Sequence, residues 1–487
     1  MGTKKLTLLH SNDMHGDFLA ESQGASGNLI GGLSLLSGYI NQVRKEEENV
    51  LYAIAGDMLQ GSMIDTEYRG VSTIEMMNYL APDVVTLGNH ELDYGLYHLL
   101  FLEKMANFPI VNANMYIKKY NKRLMRPYLI VEKAGIQILF IGVITDLILA
   151  SLKTDTQIGS FISLEQAAAE VGRICNVYKS EDIELTVLLT HIGFDADKEM
   201  AALLKPEWGV DLIIGGHSHT LLEKPEIVNG IPIVQVGVGT NQIGRFDLLV
   251  DDDTNRVMEL NWQLVPIDNQ HAQPDAQLEA YINSYRDAVD RKYDGIVCRL
   301  VQQLTHPTRG QETALGNLIA DIFQERANVD VALVGSGSIR GEQMGPLVTL
   351  GELKAVYPYD GSLHKCTVTG AQLKKVFAHT LRPASESGAG SVYQVNRGVR
   401  AIYDRARREL QALTLNGQPV QDDQRYTLCL QYYTYNNLHF LDLTEAELSA
   451  LAPPRVVTSS AQEVLEEYLR AHQNINSVVE GRLTFVN

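Results

Sequence analysis

The first half of the chain repeats one pattern: a short run rich in Val, Ile and Leu stops at a polar residue or a glycine. Runs of this length and composition predict strands that are buried on both faces. Between several of them the apolar residues recur at helical spacing, as in residues 33–43. Alternating strands and helices predict an α/β domain. The predicted strands are 6–10, 50–55, 83–87, 138–145, 185–190, 211–214 and 231–236.

The length of 487 residues exceeds what one hydrophobic core organises, so we expect two or more domains. The strand pattern stops in a polar stretch near residues 266–274, and a helical stripe follows at Leu278, Tyr281, Ile282, Tyr285 and Val289. We therefore predict a first domain over 1–268, a linker helix within 269–293 and a second domain over 294–487. The second domain again mixes helices and strands, and its Ser/Gly-rich stretch at 385–391 predicts a mobile loop.

The composition excludes several classes of partner. A hydrophobic content of 45% and a charged content of 21% are typical of a globular protein in water. The net charge of −18, with no Lys/Arg cluster, argues against a nucleic-acid polymer or an anionic membrane as partner. A small phosphorylated substrate stays compatible with this charge if bound metal ions neutralise it locally. The composition does not indicate an oligomeric state.

The cysteine spacing and the length of the apolar runs also predict the cellular location. The four cysteines are widely spaced and form no Cys-x-x-Cys pair, which favours free thiols in a reducing compartment. The apolar run at residues 6–9 is too short for a signal-peptide core, and no run is long enough for a membrane helix. We therefore expect a cytoplasmic protein, or an exported one if an N-terminal signal has been removed.

Polar side chains follow five of the predicted strands. Taken singly, each is as well explained by a helix cap, a turn or a hydrogen-bonded structural histidine. In an open α/β sheet, however, ligands gather at the carboxyl ends of the strands. These residues are Asp13 and His15, Asp57, Asn89 with His90 and Asp93, His191, and the pair His217 and His219.

This set of side chains predicts a metal site. Carboxylate, imidazole and amide ligands without thiolate suit Mn, Zn or Co, with Fe as a further option, better than a closed structural zinc site. A carboxylate shared between two divalent ions, roughly 3.5–4 Å apart, is typical of two-metal phosphatases and nucleases. We therefore predict a dinuclear metal site and hydrolytic chemistry.

The order of these motifs resembles that of the calcineurin-like metallophosphoesterases. The stretch Asn-His-Glu-Leu-Asp-Tyr-Gly at residues 89–95 is similar to the 5′-nucleotidase and UDP-sugar hydrolase family. The segments at 313–321, 337–340 and 357–373 resemble the C-terminal domain of that family. The resemblance implies an N-terminal four-layer αββα sandwich, a linker helix and a mixed α/β C-terminal domain that binds the substrate.

The resemblance also implies roles for individual residues. Asp13, His15, Asp57 and His219 would hold one metal ion, and Asp57, Asn89, His191 and His217 the other, with Asp57 as the bridge. His90, oriented by Asp93, would stabilise the charge that develops on the phosphate. The nucleophile would be a metal-activated water.

In the second domain, the resemblance implies that Gly337, Arg340, Tyr359 and Tyr433 bind the substrate. Three segments depart from the family pattern. Residues 335–340 read Gly-Ser-Gly-Ser-Ile-Arg instead of Asn-Gly-Gly-Gly-Ile-Arg, and Ala314 replaces an arginine or polar group. The ribose-binding Asn-Gly-Gly-Asp-Gly segment is replaced by Tyr-Asn-Asn-Leu-His at 435–439, so its carboxylate is missing.

The leading hypothesis is a 5′-nucleotidase that releases phosphate from nucleoside monophosphates. Two alternatives keep the chemistry and change the substrate: a 2′,3′-cyclic nucleotide phosphodiesterase with 3′-nucleotidase activity, or a UDP-sugar pyrophosphatase. A catalytically idle nucleotide-binding protein is a further alternative. Retention of His90 and Asp93 argues against it, because binding alone does not require this pair.

Overall fold

The computed structural model describes two compact units, Met1–Val289 (unit 1) and Asp290–Asn487 (unit 2). The predicted mobile loop at 385–391 lies outside the described residues. None of the helices in the described part combines the length and apolar character needed to cross a bilayer. The described residues are 3–23, 28–117, 120, 122–145, 163–178, 181, 183–251, 256–382 and 392–486.

Unit 1 contains two six-stranded sheets and helices on their outer faces. Its strands are β1 (Thr3–Ser11), β2 (Glu21–Gln23), β3 (Asn28–Ile30), β4 (Val50–Ala55), β5 (Val84–Thr86), β6 (Ile110–Val111), β7 (Tyr116–Ile117), β8 (Lys122–Arg123), β9 (Tyr128–Lys133), β10 (Ile136–Ile144), β11 (Leu185–His191), β12 (Leu212–Ile214), β13 (Glu226–Val228), β14 (Ile231–Val234), β15 (Gln242–Asp251) and β16 (Arg256–Pro266). Its helices are α1 (Leu33–Glu46), α2 (Met63–Tyr68), α3 (Val71–Leu80), α4 (Leu96–Met105), α5 (Leu164–Val177), α6 (Phe194–Leu203) and α7 (Ala276–Tyr293), which crosses the limit between the units.

The core of unit 1 lies between the two sheets. The first sheet has the strand order β16-β15-β1-β4-β5-β6, and the second has β13-β14-β12-β11-β10-β9. Side chains from both sheets, such as Leu8 and Phe140, join one buried cluster. Alternate residues of the second sheet, such as Leu188, pack against Val171 of α5 and Met200 of α6. On the first sheet, α1 contacts β4. Unit 1 is thus a helix–sheet–sheet–helix sandwich, as the family resemblance implies.

The topology collects the predicted site residues. In the first sheet β1, β4 and β5 run parallel, and in the second β10, β11 and β12 do so. The polar residues noted in the sequence follow the carboxyl ends of β1, β4, β5, β11 and β12, or end the strand, as His191 ends β11. Parallel strands therefore bring these side chains to one edge of each sheet.

Unit 2 is a mixed α/β unit built on a five-stranded sheet of order β23-β19-β27-β22-β28, with a four-stranded sheet of order β26-β25-β24-β29 beside it. One buried cluster joins the two sheets and α10. The strands are β17 (Ile296–Arg299), β18 (Leu304–Thr305), β19 (Val331–Gly335), β20 (Gln343–Met344), β21 (Leu347–Thr349), β22 (Leu363–Thr369), β23 (Tyr393–Val395), β24 (Val399–Asp404), β25 (Glu409–Leu415), β26 (Gln418–Pro419), β27 (Arg425–Gln431), β28 (Arg455–Thr458) and β29 (Leu483–Val486). The helices are α8 (Ala314–Ala327), α9 (Leu350–Val356), α10 (Gly370–Thr380), α11 (Tyr432–Asn436), α12 (Glu445–Leu451) and α13 (Ala461–Ala471).

Candidate active site

The backbone at the strand ends of unit 1 adopts an unusual conformation. Five of the seven predicted metal ligands have positive φ angles: Asp13 (50°), His15 (50°), Asp57 (51°), His217 (81°) and His219 (53°). A residue with a Cβ rarely adopts this left-handed region, and such strained positions concentrate at functional sites. Of the fifteen non-glycine residues with positive φ in the described part of the chain, five are thus predicted metal ligands.

The first group of converging side chains is Asp13, His15 and His219. The Nε2 atoms of the two imidazoles lie 3.0 Å apart. Asp13 Oδ1 lies 3.6 Å from Nε2 of His219 and 3.9 Å from Nε2 of His15. One carboxylate oxygen and two ring nitrogens thus point to a common position, as ligands of a single ion do.

The second group is Asp57, His191 and His217, and Asn89 lies against it. Asp57 Oδ2 lies 3.0 Å from Nε2 of His191. The amide oxygen of Asn89 lies 2.7 Å from Nδ1 of His217 and 3.2 Å from Nε2 of His191. The same Asp57 oxygen is 3.9 Å from His15 of the first group. Asp57 therefore lies between the two groups, where a bridging ligand has to be.

Backbone contacts orient the imidazole rings. Nδ1 of His191 lies 2.8 Å from the carbonyl of Ala55, and Nδ1 of His15 lies 3.0 Å from that of Gln60. When Nδ1 donates to a carbonyl, Nε2 carries the lone pair and can bind a cation. Asp13 is held in turn by the side-chain amide of Asn12 at 2.7 Å and by the backbone N–H of His217 at 3.0 Å.

The residues present fit a pair of divalent ions. Oxygen and nitrogen donors converge without a thiolate, which suits Mn, Zn or Co. Burial alone would raise the pKa of Asp57, but the hydrogen bond and charge of His191 lower it. Burial would lower the pKa of His191, but Asp57 and Asp13 raise it to about 9. Since a metal ligand must be deprotonated, a divalent ion competes with this proton.

His90 and Asp93 form a pair at the edge of the metal site. Nδ1 of His90 lies 2.6 Å from Asp93 Oδ2, and both side chains are about one-third exposed, at 32% and 35%. The hydrogen bond to Asp93 raises the pKa of His90 although burial opposes it. The backbone N–H of His90 donates to Asp57 Oδ1 at 2.9 Å. The pair thus lies beside Asp57 and is partly open to solvent.

Glu91 is a site residue to which the sequence analysis assigned no role. Its buried carboxylate accepts hydrogen bonds from the backbone N–H groups of Asp57 (3.0 Å), Met58 (2.8 Å), Leu59 (3.2 Å) and Gly88 (2.5 Å). Burial, followed by the charge of Asp57, raises the pKa of Glu91 to about 7. Glu91 therefore fixes the loop that presents Asp57. Its place inside the 89–95 motif was the only sequence signal for this role.

Unit 2 contains the four predicted substrate-binding residues, and two of them touch. The guanidinium of Arg340 donates to the Tyr359 hydroxyl at 2.9 Å and lies 5.2 Å from the centre of the Tyr359 ring. Tyr359 is 45% exposed and Tyr433 is 60% exposed. The ring of Tyr433 lies beside that of Phe440, with the two ring centroids 6.3 Å apart. Gly337 lies in a 3₁₀ turn over Ser336–Ser338.

Gln431 links two of these segments and was missed by the sequence analysis. Its side chain accepts from Ser338 Oγ at 3.2 Å and donates to the carbonyl of Tyr359 at 3.3 Å. In the segment that departs from the family pattern, the Tyr435 ring stacks on His364 with centroids 4.1 Å apart. His439 contacts Phe440, also at 4.1 Å. This segment therefore presents aromatic rings and no carboxylate.

Comparisons with known proteins agree with this geometry. Residues 6–221 match the calcineurin-like phosphoesterase family, and residues 296–439 match the 5′-nucleotidase C-terminal domain. A mouse 5′-nucleotidase is 27% identical over 99% of this chain and 90% of that protein. A trifunctional nucleotide phosphoesterase of Bacillus subtilis is 28% identical over 81% of this chain and 29% of that protein. The crystal structure of a 5′-nucleotidase precursor from Thermus thermophilus has a TM-score of 0.60 at 22% identity and covers 99% of this chain and 100% of its own.

The two family matches fall in different units of the structure, in the order that the motifs predict. The converging ligand groups lie within the phosphoesterase match, so the chain is a metal-dependent hydrolase of phosphoesters. It belongs to the 5′-nucleotidase family, which joins a calcineurin-like phosphoesterase domain to a 5′-nucleotidase C-terminal domain.

Proposed function

We propose that this enzyme hydrolyses nucleoside 5′-monophosphates and releases phosphate at a dinuclear metal site in unit 1. The observation that carries the proposal is the convergence of the two ligand groups on either side of Asp57. The names of the full-length relatives support a nucleotide as the substrate.

The seven ligands divide between two ions. Asp13, His15 and His219 would hold one, and Asn89, His191 and His217 the other, with Asp57 shared between them. Such ions supply Lewis acidity toward the phosphate oxygens and the attacking water. The backbone contacts of His15 and His191 hold their Nε2 atoms toward the site, so the ligands need little rearrangement.

His90 acts on the phosphate, and Asp93 orients it. Because Nδ1 is engaged by Asp93, the remaining nitrogen Nε2 is the one available to the substrate. The elevated pKa of His90 favours the protonated ring, which can donate to the charge that develops on the departing oxygen. No side-chain nucleophile is required, since water attacks the phosphorus.

Unit 2 supplies recognition of the nucleoside. We assign Arg340 to a phosphate or hydroxyl group, because its guanidinium is a fork of donors held by Tyr359. The exposed rings of Tyr359 and Tyr433 offer stacking surfaces for a base. Stacking tolerates any base, so we expect broad specificity among nucleotides. Gly337 allows the backbone of its turn to approach the ligand closely.

A substrate comparison tests the proposal. Phosphate release is measured from AMP, 3′-AMP, 2′,3′-cyclic AMP and UDP-glucose, with Mn, Zn and Co in parallel. We expect AMP to give the highest kcat/KM. The absence of turnover with every substrate and metal would refute the hydrolase assignment.

One observation favours a second substrate class. The segment at 435–439 places His439 against Phe440 where the resemblance leads us to expect a ribose-binding carboxylate. A ribose whose hydroxyls are esterified does not require that carboxylate. Higher kcat/KM with 2′,3′-cyclic AMP or 3′-AMP than with AMP would identify a cyclic phosphodiesterase with 3′-nucleotidase activity.

We also propose a reducing compartment, the cytoplasm, for this enzyme. All four cysteines are free and buried. Burial raises the pKa of Cys175, Cys366 and Cys429 to about 12, so these thiols are unreactive and do not bind metal. Fractionation of the producing cells, with the activity followed in each fraction, tests this location.

A further inference from the structure

Two imidazoles of the proposed metal site come from one tight turn, residues 215–219 after β12. His217 belongs to the ligand group of Asp57, whereas His219 belongs to that of Asp13. Both histidines have left-handed backbone angles, which residues with a Cβ keep only where surrounding contacts hold them. A fixed support behind this turn is therefore needed to keep both rings in place.

A buried polar network that the proposed mechanism does not use lies behind the turn. The carboxylate of Asp197, in the first turn of α6, accepts from Thr190 Oγ1 at 2.6 Å and from Gln235 Nε2 at 2.8 Å. The Gln235 side chain also donates to the carbonyl of Gly216 at 3.3 Å and accepts from Ser218 Oγ at 3.0 Å. Asp197 and Gln235 are completely buried, and both carboxylate oxygens of Asp197 are satisfied.

The turn lies directly on this network. A Cβ at Gly215 would lie 2.1 Å from Asp197 Oδ2 and 2.7 Å from Gln235 Nε2, so only glycine fits there. Ser218, between the two histidines, accepts the backbone N–H of Phe194 at 2.9 Å and thereby ties the turn to the start of α6. The network thus contacts the turn at Gly215 and Gly216, which precede the two histidines, and at Ser218, which lies between them.

We propose that Asp197 and Gln235 are positioning residues that hold the His217–His219 turn and so control the affinity of the enzyme for its metal ions. A buried, fully satisfied polar network has one preferred geometry, because each broken hydrogen bond leaves an unpaired polar group in the interior. Residues that hold metal ligands in this way change metal affinity when they are replaced. This inference rests on the metal site of the proposed function.

Metal binding by stripped protein tests the inference. The enzyme is treated with EDTA, and its affinity for Mn²⁺ and the visible spectrum of its Co²⁺ form are measured. Gln235→Met keeps the side-chain length and removes every hydrogen bond of the amide. We expect it to weaken the binding of Mn²⁺ by about 10- to 100-fold and to alter the Co²⁺ spectrum. Gln263→Met, at an exposed position of β16, is the matched control and keeps the parental affinity.

A conservative variant separates positioning from bulk stability. In Asp197→Asn, the amide oxygen still accepts from Gln235. Its NH₂ group can donate to Thr190, whose hydroxyl lies 3.4 Å from the Ile214 carbonyl and can turn to it. We expect this variant to restore the parental Mn²⁺ affinity and Co²⁺ spectrum, whereas Asp197→Ala does not.

The outcomes are distinct. A folded Gln235→Met enzyme with the parental Mn²⁺ affinity and Co²⁺ spectrum would overturn the inference. If that variant does not fold, Ser218→Ala decides, because it removes only the hydroxyl that links the turn to Gln235 and Phe194. Parental affinity in Ser218→Ala would then overturn it. Failure of the parent enzyme to bind Mn²⁺ would instead contradict the metal site itself.

Discussion

Asp57 is the residue on which the proposed site depends most. It follows β4 in a left-handed conformation, and its carboxylate contacts ligands of both groups. A Cβ at Gly88 would lie 2.2 Å from Asp57 Oδ1, so this glycine leaves the space that the carboxylate fills. The backbone around Asp57 is held by Glu91. The left-handed backbone of Asp57, the space left at Gly88 and the hydrogen bonds of Glu91 together fix the position of the Asp57 carboxylate.

We expect Asp57→Ala to lose both metal ions, because in the proposed site both ions share its carboxylate, which lies 3.0 Å from His191 and 3.9 Å from His15. The metal content of purified protein, measured by mass spectrometry, checks this. Asp195→Ala, at an exposed position of α6, is the control and keeps the metal content of the parent. A stoichiometry still near two ions per chain in Asp57→Ala would contradict the bridging assignment.

His90→Ala tests the role of the exposed pair. We expect kcat to fall by about 10²- to 10⁴-fold with the metal content unchanged, because we propose that the ring donates to the departing oxygen and not to a metal ion. His271→Ala is a matched control: His271 pairs with Asp268 at 2.7 Å and the same three-residue spacing, far along the sequence from the site residues. Hydrolysis at the parental rate in His90→Ala would remove His90 from the mechanism.

The candidate site residues that the sequence predicted differ from those it did not predict in whether their roles follow from a position at the end of a strand. Asp13, Asp57 and His191 were predictable because each follows or ends a buried parallel strand, and the topology then gathers them. Glu91 and Gln235 were not, because their roles arise from hydrogen bonds to backbone far away in the chain. A buried glutamate or glutamine has no distinct spacing in a sequence.

At the scale of elements, the central parallel strands were predicted closely. The run 50–55 is β4, and the run 185–190 is β11 without its last residue. The long hairpin of β15 and β16 was missed, although it extends the first sheet beside β1. Most of β15 alternates buried and partly exposed residues, and the described side chains of β16 are partly or fully exposed, so neither strand carries a long apolar run. Strands that are not buried on both faces are for this reason harder to recognise than the fully buried parallel strands.

The hairpin of β15 and β16 also buries His10 of β1, and this burial makes the folding stability of the protein depend on pH. His10 lies against Phe246 of β15 and Trp262 of β16, and its Nε2 accepts the indole N–H of Trp262 at 3.0 Å. Burial lowers the pKa of His10 to about 3 from an ordinary value of 6.5. Between these values the unfolded chain binds the proton and the folded chain does not. Folding stability contributed by this group is therefore lost as the pH falls below 6.5.

His10→Gln removes this titration and keeps an acceptor for Trp262. We expect the parent to lose up to about 1.4 kcal/mol per pH unit more than the variant between pH 6 and 4, the effect of one proton. Urea unfolding of metal-free protein at several pH values measures the difference. Parallel stability curves for parent and variant would show that His10 takes up its proton equally in both states.

At the scale of the whole molecule, the predicted metal ligands and the predicted substrate-binding residues lie in different compact units. All seven predicted metal ligands lie in unit 1, and Arg340, Tyr359 and Tyr433 lie in unit 2. The predicted domain limits stay a prediction. Within unit 1, the Tyr281 and Tyr285 hydroxyls of α7 both donate to Glu75 of α3. The sequence showed these tyrosines as one helical stripe but could not show which surface they contact.

Metal removal should therefore destabilise unit 1 specifically. A ligand that binds only the folded state, at a hundred times its Kd, adds about 2.7 kcal/mol to stability. For a unit of 289 residues that shifts the unfolding midpoint by roughly 4–5 °C. Both tryptophans, Trp208 and Trp262, lie in unit 1, so tryptophan fluorescence follows its unfolding alone. We expect the fluorescence midpoint to fall by this amount in EDTA and to recover with Mn²⁺.

Asp57→Ala is the control, and we expect it to unfold at the same temperature in EDTA and in Mn²⁺. Equal midpoints for the parent with and without Mn²⁺ would mean that the ions are not bound by the folded state of unit 1.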